Sequence, residues 1–131
     1  MRAVLTAVVV LVACSPSMST GEGSRDIRLT VDPESPSAGD PVVLVLTNHS
    51  NGPVGYNLCT SELERRADGA WRPVPSDRMC TMELRMLEPG AEARFDLALD
   101  PGMASGEYRY STRIEVAGEA STVVSDAFNV G

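Results

Sequence analysis

Lysine is absent from this 131-residue chain, and histidine occurs once. All eleven basic side chains are therefore arginine, which reflects arginine-favouring codon usage, and against 18 Asp and Glu they leave a formal net charge of −7. An acidic surface argues against nucleic acid as a partner, because binding there depends on neutralising phosphates. It also argues against a protein lying flat on anionic lipid. The lone His49 falls in a polar turn beside Ser50, with Asp40 in another turn. Nothing resembles G-x-S-x-G or another nucleophile context, so the sequence reads as non-enzymatic. Glu62 with Glu64 and Asp96 with Asp100 alternate along strands as solvated faces. Calcium needs about six to eight oxygens, and no loop concentrates carboxylates, so neither a metal nor a cofactor is expected. No apolar run reaches the roughly 18 residues of a membrane-spanning helix. Sustained helical periodicity, internal repeats and low-complexity tracts are missing as well.

What is present begins at the N-terminus. Met1-Arg2 opens the chain, Ala3 to Ala13 is apolar apart from Thr6, and Leu11-Val12-Ala13-Cys14 closes the segment. A basic start, a short apolar stretch and small terminal residues form a secretory signal. The closing tetrapeptide resembles the lipobox of bacterial lipoproteins. That resemblance implies cleavage before Cys14, lipidation of its thiol and an acylated new N-terminus. Anchoring needs at least two acyl chains, since one binds only reversibly, and a lipidated Cys14 supplies them. The expected organisation is a signal peptide over residues 1–13, a lipidated Cys and flexible linker over 14–24, and one domain over 25–131. Arg2 leaves with the signal, so the mature chain is one unit more acidic than the whole. Ser15 stands where some bacteria use Asp to retain lipoproteins at the inner membrane. The expected location is therefore the cell envelope, at the outer membrane facing the periplasm.

Setting Cys14 aside leaves Cys59 and Cys80, an even pair in an exported chain. Two cysteines without accompanying histidines cannot complete a zinc site, and their spacing is far from C-x-x-C. A structural disulfide is expected. It would close a loop of about 22 residues, worth roughly 3 kcal/mol in the chain-entropy model.

After the Ser15–Ser24 linker the pattern turns to period two. Ile27, Leu29 and Val31 alternate with polar residues, and Val42 to Leu46 is a continuous apolar run with the β-branching of a central strand. Tyr56 to Cys59 reads as a short strand. Leu63 to Val74 reads as a hairpin around Asp68-Gly69, with Arg66 opposite Trp71, Arg65 opposite Arg72, and Leu63 and Val74 sharing a core-facing side. Leu84 and Met86 alternate with Glu83 and Arg85; Phe95, Leu97 and Leu99 alternate with acids and Ala98. Tyr108, Tyr110, Thr112, Ile114 and Val116 share one face of the longest strand, and a parity shift near Ser125-Asp126 predicts a bulge. Seven or eight short strands joined by turns predict an all-β fold, an antiparallel β-sandwich, with a small closed barrel as the alternative.

Four motifs occur in order: Leu46-Thr47-Asn48-His49-Ser50, Glu64 to Trp71 around Asp68-Gly69, Leu87-Glu88-Pro89-Gly90, and Gly106-Glu107-Tyr108-Arg109. Together they resemble the immunoglobulin-like domains of bacterial exported proteins, over roughly residues 27–130. The resemblance implies an immunoglobulin-like sandwich, with Tyr108 and Tyr110 near the position of a tyrosine corner. The pattern is distantly similar to the BsuPI-type proteinase inhibitors too. Asn48-His49-Ser50 also matches a glycosylation sequon, read here as idle.

One local feature departs from the global acidity. Arg65, Arg66, Arg72 and Arg78 cluster around Trp71, and arginine and aromatic residues are enriched in interfaces. Arg66 opposite Trp71 suits cation–π stacking, whereas Arg65 opposite Arg72 is a like-charge pair that needs neutralising. Glu62, Glu64 and Asp77 could balance these arginines on a wet surface. The candidate partner-binding residues are thus Arg65, Arg66, Trp71, Arg72 and Arg78. Two functions stay open: an envelope interaction or structural module that binds another protein or a cell-wall component, and an inhibitor of envelope proteases.

Overall fold

The structure, a computed structural model, describes residues 26–131; the signal segment, Cys14 and the linker lie outside them. Ten antiparallel strands form two sheets. The smaller has the order β1-β2-β7, from β1 (Ile27–Asp32), β2 (Pro41–Asn48) and β7 (Glu92–Ala98). The continuous apolar run lies in the middle of this sheet, as its composition predicts. The larger is built around β8 (Gly106–Val116). On one side β8 pairs with β4 (Glu62–Ala67) and β3 (Val54–Tyr56), which carry β5 (Ala70–Pro73) and β6 (Arg85–Leu87) on their outer edges. On its other side lie β9 (Glu119–Val124) and β10 (Phe128–Val130). The sandwich is therefore the architecture found.

Among the described residues ten strands stand where seven or eight were expected, and two of the expected courses are interrupted. The segment Tyr56 to Cys59 does not continue as a strand: β3 ends at Tyr56, and Leu58–Thr60 is a 3-10 turn. Asn57 starts that turn by accepting the Cys59 N–H on its side chain, while its amide donates to the Thr81 carbonyl at 2.7 Å. The other break is the predicted bulge. Ser111 faces Val124 but Tyr108 faces Phe128, so the β9–β10 course carries one residue more than β8 opposite it. Buried Ser125 fills the gap, its N–H donating to the Tyr110 carbonyl and its hydroxyl accepting the Tyr110 N–H.

The core lies between the sheets. Ile27, Leu29, Val42, Leu44 and Leu46 face Val54, Leu87, Tyr108, Tyr110, Ile114 and Phe128. Tyr108 and Tyr110 both stack on Phe128 at 6.2 Å between ring centroids. The inward residue of β6 is Leu87, not the expected Leu84 and Met86, which are more than half exposed. Register decides this: Leu87 opposes buried Val54, whereas Met86 opposes Gly55 on the outer face. Leu84 lies against that glycine, where a Cβ would meet its side chain at 3.0 Å.

Candidate functional site

The β4–β5 hairpin has the register its sequence predicts. Ala67 faces Ala70, Arg66 faces Trp71 and Arg65 faces Arg72, and the Val74 N–H donates to the Leu63 carbonyl at 2.8 Å. Asp68 and Gly69 both have positive φ, 52° and 76°, as a two-residue loop matched to strand twist requires. The candidate arginines consequently separate. Register places Arg65 and Arg72 on the inward parity of the hairpin, and Arg66 and Trp71 on the outer face of the larger sheet.

On the outer face Trp71 is half-buried, with two guanidinium groups against its ring. The Arg109 guanidinium carbon lies 4.4 Å from the ring centroid, and that of Arg66 lies at 5.9 Å. The sequence pointed only to Arg66. Arg109 sits on β8 and reaches the hairpin because Glu64, its cross-strand neighbour, accepts its Nε–H at 2.9 Å. This ion pair is largely covered, with side-chain exposures of 24% and 16%, whereas Arg66 is open and 3.9 Å from Glu107.

Arg65 and Arg78 are engaged with backbone carbonyls. Arg65 donates from Nη2 to the Ser105 carbonyl at 2.8 Å and lies over Gly106, where a Cβ would come within 2.9 Å of its Nε. The like-charge pairing with Arg72 is relieved by this turn toward a carbonyl rather than by an acid. Arg78 donates from Nε to the Cys59 carbonyl and from Nη2 to the Ser61 carbonyl, at 2.9 and 2.7 Å. Arg72 is exposed.

Cys59 and Cys80 are joined in a disulfide with Cα atoms 5.8 Å apart. Together with the Arg78 and Asn57 hydrogen bonds it pins the irregular stretch of residues 74–84 against the 3-10 turn. Met79 and Met82 nevertheless project into solvent, at 94% and 93% exposure.

The catalytic alternative does not assemble. Asp40 precedes β2 and His49 follows it, a separation of about 30 Å at some 3.3 Å per residue. Asp40 accepts the Ser37 N–H, and the Ser50 hydroxyl is bonded to Asn48 and Gly52. Among the described residues no group of three His, Cys, Asp or Glu side chains is placed to hold a metal ion. Asn48 itself is wholly buried, its amide donating to the Gly52 and Leu87 carbonyls and its oxygen accepting from Ser50. The first motif is thus a structural joint, and its amide is not open to glycosylation.

Two packed antiparallel sheets, with the Tyr108 hydroxyl donating to the Ala104 carbonyl four residues upstream at 2.6 Å, define an immunoglobulin-like sandwich with a tyrosine corner. Residues 23–128 match the model of the bacterial Ig-like domain, and the chain belongs to that family. No curated protein matches its sequence. Among solved structures it is similar to the archaellum periplasmic stator protein FlaG from Sulfolobus acidocaldarius, at 21% identity over 78% of this chain and 99% of that one, with a TM-score of 0.45. It is also similar to the ASH/PapD-like domain of human CEP192, at 13% identity over 99% and 98% of the two chains, with a TM-score of 0.41. A β-glucosidase from Listeria innocua matches at 17% identity and a TM-score of 0.38, over 80% of this chain but 16% of that one.

Proposed function

We propose that this chain is a non-catalytic interaction module outside the cytoplasm, anchored to the envelope by lipid on Cys14, with the β4–β5 hairpin as its docking tip. The observation that carries the reading is the half-buried Trp71 ring with the Arg66 and Arg109 guanidinium groups against it on the outer sheet face. A half-buried aromatic with arginines against it offers an apolar surface beside guanidinium groups, the composition of an interface hot spot. The bound partner is an acidic or aromatic surface of an envelope protein or a cell-wall component. Anchoring is tested by intact mass of the envelope-extracted chain: an N-terminal Cys14 carrying added lipid is expected, and an unlipidated Cys14 or another N-terminus rejects it. Docking is tested by crosslinking in intact cells and identifying what the hairpin captures.

A second reading, inhibition of envelope proteases, draws support from the disulfide-pinned irregular stretch with exposed Met79 beside Cys80. Proteases bind extended segments, and a pre-ordered one loses less entropy on binding. Stoichiometric inhibition in a protease panel, abolished by Met79→Asp, would establish it.

A further inference from the structure

The chain exposes one apolar segment that the hairpin reading leaves unused. Strand β6 is an outer edge of the larger sheet, paired only with β3. The residues leading into it, 81–84, make no turn or bend. On β6 and the irregular residues just before it, Met82, Leu84 and Met86 are 93%, 55% and 54% exposed, while Glu83 and Arg85 form an open ion pair at 3.2 Å. A free strand edge presents unpaired backbone N–H and C=O groups that template another strand.

The order of these five side chains is self-complementary. When the segment Met82-Glu83-Leu84-Arg85-Met86 lies antiparallel to its own copy about a two-fold axis through Leu84, Leu84 faces Leu84 of the second copy. Met82 then faces Met86 of that copy, and Met86 faces Met82. On the opposite parity Glu83 faces Arg85 and Arg85 faces Glu83. Every apolar side chain meets an apolar one, and every charge meets its opposite, twice over. Opposite charges directly across a strand pair stabilise it, and like charges destabilise it. Methionine adapts its shape to such contacts. No other alignment centred on a residue of this segment pairs both charges with their opposites.

We propose that β6 and the residues leading into it form a homodimerisation edge, in which residues 82–84 extend the strand on pairing and the Met82–Met86 segments of two copies run antiparallel about Leu84 to join their larger sheets. The interface is isologous, as closed two-fold dimers require. Its small extent makes it a weak, concentration-dependent contact of the micromolar class or above.

Charge reversal tests the register. In Glu83→Arg, the introduced guanidinium would face Arg85 of the second copy, and this happens twice; in Arg85→Glu, two acids would oppose each other in the same way. Each single variant of the full chain, purified in detergent and checked for fold by circular dichroism, should dimerise about tenfold or more weakly than the unaltered chain in sedimentation equilibrium. Mixing the two variants should restore association as a heterodimer, because each charge then meets its opposite across the interface. The double variant Glu83→Arg/Arg85→Glu should dimerise like the unaltered chain. An unaltered chain that stays monomeric at millimolar concentration overturns the proposal, in which case the charges guard the edge rather than pair it. Single variants that associate normally, or a mixture no stronger than its components, overturn it equally.

Discussion

Arg109 lies closer to Trp71 than Arg66 does, with its guanidinium carbon 4.4 Å from the ring centroid, and the same group is held by Glu64 at 2.9 Å. The long strand β8 is thereby tied to the hairpin tip through a chain of carboxylate, guanidinium and indole. Because Glu64 and Arg109 are mostly covered, their pairing belongs between the surface and buried regimes.

Arg109→Ala should therefore destabilise the domain by about 1–3 kcal/mol, since it strands the Glu64 carboxylate and opens one face of the indole. Arg66→Ala should cost well under 1 kcal/mol, because its side chain is half exposed and its acid partner is distant. Urea melts followed by the fluorescence of the one tryptophan separate the two. Equal costs would mean that Trp71 is braced symmetrically.

Asn48→Ala should be among the most damaging single changes. Its side chain makes four hydrogen bonds from a fully buried position, linking the end of β2 to the 50–52 turn and to β6. Leaving buried carbonyls and an N–H unpaired costs about 1–3 kcal/mol each before relaxation, so a loss of about 3 kcal/mol or more is expected in a denaturant melt. Asn48→Asp should fare little better, since it sets a second acceptor against the Leu87 and Gly52 carbonyls.

The stretch 74–84 is held twice, by the disulfide and by Arg78. Replacing both Cys59 and Cys80 by Ser should cost about 3 kcal/mol. Arg78→Ala removes hydrogen bonds to the Cys59 and Ser61 carbonyls, which come from a charged donor and are worth about 1.5–3 kcal/mol each at most. Both devices order the same segment, so the combined variant should lose less than the sum of the two. Strict additivity in a thermodynamic cycle would show that they act on separate parts of the fold.

Tyr110 should be slow to ionise. Burial in the core pushes its phenol above the ordinary value of about 10, and the positive charge of Arg78 only partly opposes this. The unfolded chain then gives up this proton before the folded one does. Tyr110 therefore costs nothing below about pH 10, and stability declines as pH rises from there toward its folded-state value. A spectrophotometric titration should show a late-ionising phenol that Tyr110→Phe removes, together with a falling melting temperature in that range that the same substitution flattens.

Local chemistry explains which features were legible in the sequence. Asp68-Gly69 dictates a loop with two positive φ values, so the whole hairpin register followed from it. The parity shift at Ser125 marked the bulge for the same reason: strand periodicity is strict, and a break in it has few causes. Alternation misled at Leu84 and Met86, because an edge strand with an exposed outer face carries apolar residues on the wrong side for a core. Leu87, adjacent to the turn, gave no second inward partner to expose the error. The 3-10 turn at Leu58 was hidden because it depends on Asn57 reaching Thr81, a contact far along the chain. Arg109 escaped notice at the site for a similar reason: its proximity to Trp71 is created by the β4–β8 pairing, which no nearby residue announces.

The hairpin surface makes the last prediction. Trp71 and Arg66 share the outer face of the hairpin, while Arg65 and Arg78 are spent on backbone carbonyls. If the tip docks a partner, Trp71→Ala should lower capture of the crosslinked partner about thirtyfold or more, since truncating a hot spot costs about 2 kcal/mol or more. Arg66→Ala should weaken capture less, and Arg72→Ala least, because its side chain lies on the other parity. Arg65→Ala should act through stability rather than binding: it loses the Ser105 contact and shifts the melt, while capture by the folded fraction persists. The ordering separates a docking face from a merely basic tip, on which Arg66→Ala and Arg72→Ala would weaken capture alike, Trp71→Ala little, and salt would abolish capture. Undiminished capture by folded Trp71→Ala would assign the Trp71–Arg109 stack to holding the hairpin against β8.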